Sequence, residues 1–204
     1  MEDVTYIGEP VSDSVTFKQL PIEMQGFLLH ANGLVAYLGG LHIRGCCQEP
    51  KWHSLAEAWS GDTAFCKIYP NVKISDIPFA QDSMGNQFLL RKGIVWFLDT
   101  ETGEVENLNV SFDMFIAGVE RFPGRALDLS NIGTFAKLGA RLMPGELLAV
   151  FPPACIKTNG DQFKLTRMPV ATRLHSLADM YRQIRRLKPG QKITVRTDES
   201  YDAI

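Results

Sequence analysis

Four short apolar runs between residues 77 and 108, separated by three tight turns, constrain the fold more than any other feature of this chain. Ile77–Ala80, Gln87–Arg91, Ile94–Leu98 and Glu104–Leu108 are joined by Asp82-Ser83-Met84-Gly85-Asn86, by Lys92-Gly93 and by Asp99-Thr100-Glu101-Thr102-Gly103. A parallel crossover needs a dozen or more residues, so connections this short leave only antiparallel neighbours. Aspartate caps the local backbone in such turns, and glycine supplies positive φ. The pattern predicts a four-stranded antiparallel meander.

Helical signals flank it. Pro21 suits a helix start, Glu23 lies in the first turn, and Ile22, Phe27, Leu28 and Leu29 supply an apolar face up to Asn32-Gly33. Leu34–Leu38 and Leu41–Arg44 read as a hairpin around Gly39-Gly40, and a second helix is expected from Trp52 to Trp59, with Ser54 and Glu57 at capping-box spacing. After the meander, Ser111–Arg121 places Phe112, Phe115, Ile116 and Val119 on one face. Pro123-Gly124 marks a lobe boundary. Beyond it the pattern predicts a helix over Asn131–Leu142 and a strand over Leu147–Phe151. A hairpin of Cys155–Lys157 with Gln162–Arg167 around Asn159-Gly160 follows, then a helix over Ser176–Leu187 and a closing strand over Lys192–Arg196. The expected class is α+β, with an antiparallel or mixed sheet whose central meander is covered by helices. Residues 1–16 read as an N-terminal arm, 17–122 as the main domain, 123–198 as an α/β extension packed on it, and 199–204 as a tail.

A chain of 204 residues with 45% hydrophobic and 22% charged content can bury a sizeable core. It has no apolar run of membrane-spanning length, and its start, MEDVTYIGEPVSDS, lacks a basic region and an apolar stretch, so a cytoplasmic protein is expected. Charge is divided unevenly. Residues 1–120 hold 16 carboxylates and 7 Lys and Arg, whereas residues 121–204 hold 7 and 14. Such asymmetry marks either a face that attracts a charged partner or two complementary lobes.

No dinucleotide loop, phosphate loop, zinc-protease, nucleophile-elbow or deaminase signature occurs. His30, His42, His53 and His175 stand apart, and a catalytic role would require an oriented partner for one of them. His42, Cys46, Cys47 and His53 are close in sequence, yet adjacent cysteines project in different directions, so the expectation is core residues and no metal or cofactor. Arg182, Arg185, Arg186 and Lys188 give the last helix a basic end. Without interleaved aromatics, that end suits the helix dipole better than nucleic acid. Asp82, Asp99, Glu101 and Glu104 cluster around the meander turns, where paired carboxylates could do acid/base work or hold calcium, and Glu106 follows on the next strand. All five are candidate contacts for a basic protein partner, with ordinary turn chemistry as the competing account.

Within the meander, Ile77-Pro78-Phe79-Ala80, Asp82-x-x-Gly85-Asn86-Gln87-Phe88 and Val95-x-Phe97-x-Asp99-x-Glu101-Thr102-Gly103-Glu104 resemble the strands and turns of the SUKH superfamily of bacterial toxin-immunity domains. Ser111-Phe112-x-x-Phe115-Ile116 resembles its closing helix, and Leu20-Pro21, Phe27-Leu28 and Asn32-Gly33 its first helix. Phe135-x-x-Leu138, Pro144-Gly145-Glu146-Leu147-Leu148, Phe151-Pro152-Pro153 and His175-Ser176-Leu177 are similar to the C-terminal part of type VI secretion immunity proteins. The resemblance implies a non-enzymatic domain that binds a cognate protein toxin, often a nuclease, and occludes its active site. A scaffold or regulatory module, or a small-molecule binder with a pocket between the lobes, stand as alternatives. The superfamily has no fixed contact motif, so no contact residue is implied by matching.

Overall fold

The computed structural model describes residues 1–153, 155–156, 163–188 and 190–191. In chain order the elements are β1 (Tyr6–Ile7), α1 (Ser14–Lys18), α2 (Ile22–His30), β2 (Leu34–Ala36), β3 (Leu41–Ile43), α3 (Leu55–Ser60), α4 (Phe65–Ile68), β4 (Ile77–Asp82), β5 (Gln87–Arg91), β6 (Ile94–Leu98) and β7 (Val105–Ser111). Then follow α5 (Phe112–Arg121), α6 (Pro123–Ala126), α7 (Ser130–Lys137), β8 (Glu146–Phe151), β9 (Lys164–Pro169) and α8 (Val170–Ile184). The fold is α+β. Strands β1 to β7 form one sheet in sequence order, every neighbouring pair antiparallel, and β8 and β9 form a separate ribbon.

Short loops impose the order from β2 to β3 and from β4 to β7, whereas helical segments carry the chain from β1 to β2 and from β3 to β4. The expected meander occupies β4 to β7. The first residues, read from sequence as an arm, add a strand on the far edge: Tyr6 pairs with Val35, and Ile7 with Leu34. The second helix starts later than expected. Lys51–His53 form a 3-10 turn, and Ser54 caps α3 by accepting from the Glu57 N–H at 3.3 Å.

Strand alternation divides the core into two layers. On one face Ile43, Phe79, Phe88, Leu90 and Val95 pack under Met24 and Leu28 of α2 and Phe112, Phe115 and Val119 of α5. Ring centroids lie 5.3 Å apart for Phe79–Phe112, which meet edge to face, and 4.7 Å for the tilted pair Phe88–Phe115; such aromatic pairs add about 0.5–1.5 kcal/mol beyond burial. On the other face Leu89 and Leu98 pack against Phe65, Tyr69 and Tyr181, the last from α8.

The C-terminal elements differ most from expectation. The expected hairpin partner Cys155–Lys157 is described only at Cys155 and Ile156, which lie in a turn and a bend and not in a strand. β9 pairs with β8, from Glu146↔Pro169 to Phe151↔Lys164. The proposed turn Asn159-Gly160 and the expected strand Lys192–Arg196 lie outside the described residues. Helix α7 ends at Lys137, before Gly139 at φ +77°. Helix α8 begins at Val170, six residues before Ser176. Its first turns look polar in sequence because Arg173 is there, but Val170 and Arg173 are both buried, Arg173 against the meander turns.

That docking is intimate. The Leu148 N–H donates to Ser83 O at 2.7 Å, tying β8 to the β4–β5 turn. A Cβ at Gly85 would stand 3.0 Å from Leu177, and one at Gly103 would land in the Tyr181 ring. The two turn glycines therefore serve twice, for positive φ (+96° and +74°) and for close approach of α8.

Candidate protein-binding surface

The meander turns that carry the five acidic candidates are built by their own side chains. Asp82 Oδ1 accepts from the N–H groups of Met84 (2.8 Å) and Asn86 (2.9 Å), and Oδ2 accepts from Asn86 Nδ2 at 2.9 Å. Burial raises its pKa to about 6, although these donors pull it downward. Asp99 Oδ1 accepts from the Glu101 and Thr102 N–H groups at 2.8 and 3.0 Å. Glu101 turns inward. Its Oε2 accepts from the Cys155 N–H at 3.1 Å, and its Oε1 lies 3.6 Å from Arg173 Nη2.

These roles sort the five. Asp82 and Glu101 are 6% and 8% exposed, with Asp82 engaged by its own turn and Glu101 by Cys155 and Arg173, so both carboxylates are held within the chain. Asp99 is half-buried in its turn. Glu104 and Glu106 are exposed, just before and on β7, the last strand of the sheet among the described residues.

Beside β7 lies a feature that the sequence pattern did not flag. A groove of about 750 Å³ opens between the meander and residues 124–130. Phe88, Phe97 and Leu108 form its apolar floor, and Asp82, Arg125 and Asp128 also line it. Glu106 pairs with Phe97 and so stands on the same face of the sheet. Phe97 and Leu108 are only partly covered by the helices. Strand pairing puts both on the sheet face that the helices cover, but nothing local to them shows where that cover stops. A bulge between Ile94 and Trp96, with Asn109 opposite at φ +56°, bends β7 and weakens it as a template for a further strand.

The histidines and cysteines do not face this groove. His42 Nε2 and His53 Nδ1 lie 2.9 Å apart, His53 Nε2 lies 2.9 Å from Asn32 O, and Gln81 Nε2 lies 3.1 Å from His42 Nδ1. One assignment satisfies every contact. His53 donates from Nε2 to Asn32 O, His42 donates from Nε2 to His53 Nδ1, and Gln81 donates to His42 Nδ1. Gln81 Oε1 then accepts from Arg44 Nη2 at 2.8 Å. Burial first, then the Arg44 charge, lowers the pKa of His42, and burial lowers that of His53, so both are neutral at pH 7. Cys46 and Cys47 are buried nearby, with burial raising both thiol pKa values, Cys46 to about 12. Among the described residues no group of three His, Cys, Asp or Glu is placed to hold a metal ion, and no helix is long and apolar enough to cross a membrane.

No family model matches the chain, and neither a curated protein nor a solved structure matches it.

Proposed function

We propose that this chain is a non-catalytic protein-binding domain of SUKH type that neutralises a cognate protein toxin by covering its active site. The groove beside β7 carries this reading. It offers an open apolar floor of Phe88, Phe97 and Leu108, with Glu106 on the same sheet face and Glu104 exposed nearby. Occlusion needs a complementary surface and no reactive group. Buried apolar anchors supply most of the affinity of such a surface, and rim charges supply orientation and encounter rate.

Charge favours a basic partner. From residue 93 to residue 120 the chain holds six carboxylates and no Lys, Arg or His. A nuclease toxin presents cations where phosphates bind, and an acidic face substitutes for those phosphates. The test is co-expression with the protein encoded by the neighbouring gene. The expected result is rescue of growth and a co-eluting complex, both lost in a Phe97→Asp, Leu108→Asp variant that still folds. No rescue and no complex from the unmodified chain would sink the immunity reading.

One observation favours a second reading. The groove's volume of about 750 Å³ lies within the roughly 300–1,000 Å³ typical of small-molecule sites. A metabolite library screened by thermal shift separates the two. A ligand whose stabilisation disappears in the Phe97→Asp variant would favour that reading over occlusion.

A further inference from the structure

We propose that a second groove, between α2 and α5, docks a basic amphipathic helix of a protein partner, with Gly26 as the point of closest backbone approach. The proposal rests on the protein-binding reading for the partner's being a protein, and it adds a surface separate from the β7 groove.

The groove encloses about 370 Å³. Phe27, Phe112 and Ile116 form its floor, and Phe27 and Phe112 meet edge to face with ring centroids 5.8 Å apart. Carboxylates stand on both walls: Glu23 on α2, Asp113 and Glu120 on α5, all exposed. The N-terminal ammonium lies 3.5 Å from Glu120, and His30 donates from Nδ1 to Gly26 O at 2.8 Å. An apolar floor with acidic walls is complementary to a segment that is apolar on one side and cationic at its margins.

Two further observations define the occupant. Apolar residues continue past the groove over the crest of α2, where Ile22 and Leu29 are 72% and 71% exposed, although Met24 and Leu28 already bury that helix's inner face. Gly26 lies in mid-helix, and a Cβ added there would meet nothing within 4 Å. Among the described residues nothing calls for glycine at that position, and glycine weakens a helix interior. A neighbouring backbone would call for it, because removing the Cβ lets two helices approach closely. Ala117, on the α5 wall of the same groove, carries only a methyl group. Both walls are helical, so their backbone groups are already paired and offer an extended peptide no ladder. An occupant that satisfies its own backbone, a helix, suits these walls.

The test uses the full chain and a fluorescent amphipathic Leu/Lys peptide of about 18 residues, long enough to form helix on contact, with a Leu/Glu peptide of the same pattern as control. The expected result is saturable binding of the Leu/Lys peptide alone. That binding should weaken at least about tenfold in Glu23→Lys, Glu120→Lys and in Gly26→Leu. Gly26→Leu should melt no lower than the unmodified chain, because its side chain enters open space, so lost binding is not lost folding. Absence of binding, or binding that none of these variants changes, overturns the proposal. So does a dimer in sedimentation that Gly26→Leu abolishes, because the occupant is then a second copy of this chain. If a toxin complex is broken by Phe97→Asp and untouched by Gly26→Leu, the immunity reading stands and this one falls.

Discussion

His42 donates from Nε2 to His53 Nδ1 across 2.9 Å at a site where both rings are buried, so two neutral imidazoles form the middle of a hydrogen-bond chain from Asn32 to Gln81 and Arg44. A proton added to either ring would replace an acceptor with a donor inside that chain, and would place a cation beside Arg44.

The folded-state pKa values of both histidines lie below the ordinary 6.5, so their contribution to stability is fully present above about pH 6.5 and is lost as pH falls below it. With both rings neutral in the folded chain and both free to protonate in the unfolded one, the slope reaches up to about 2.7 kcal/mol per pH unit. Asp82 works in the opposite sense. Its folded pKa is about 6 against an ordinary 3.8, so its contribution to stability grows as pH falls through that window. Urea unfolding of Asp82→Asn is therefore expected to lose stability more steeply between pH 6.5 and 5 than the unmodified chain. A flat profile for that variant would refute the histidine account.

Arg173 is 2% exposed, with Nε donating to Met84 O at 3.3 Å and Nη2 beside Glu101. Replacement by Met leaves Glu101 buried without its cation, for an expected loss of about 3–5 kcal/mol. Adding Glu101→Gln removes the stranded charge, so the double variant should recover much of that loss. A double-mutant cycle by chemical denaturation reads the coupling, and strict additivity would mean the pair does not interact.

Gly103 meets Tyr181 where α8 crosses the β6–β7 turn. Gly103→Ala combines a strained left-handed backbone with overpacking, so a loss of at least about 2 kcal/mol is expected in thermal melts. Tyr181→Ala in the same chain should relieve only the overpacking and leave the backbone strain. Complete rescue would contradict the positive-φ requirement at +74°.

Glu104→Lys, Glu106→Lys changes exposed side chains, so stability should stay within about 0.5 kcal/mol. If the partner is basic, its association rate should fall about tenfold at low salt, and the difference should shrink as salt rises. Surface plasmon resonance with the toxin measures both. An unchanged rate would place the acidic docking face elsewhere.

The elements legible in the sequence are those whose determinants are local. The meander turns carry their own Asp caps and glycines, Ser111 caps α5 through the Met114 N–H, and α5 shows its apolar stripe over one helix length. The C-terminal ribbon was misread because β8 and β9 are distant in sequence, and nothing in either names its partner. The start of α8 was missed because a buried arginine looks like a surface one until Glu101 and Met84 O are beside it.

The same distinction separates the acidic residues. By itself the sequence determined that Asp82, Asp99, Glu101 and Glu104 gather at two turns of one antiparallel sheet and that Glu106 follows on the next strand, since loop length and period-2 alternation are properties of consecutive residues. Only the tertiary structure decided which of them meet solvent. The docking of α8 and its neighbouring turn buries Asp82 and Glu101 and leaves Glu104 and Glu106 outside. Burial depends on what else in the chain comes to lie against a residue, and that packing is non-local.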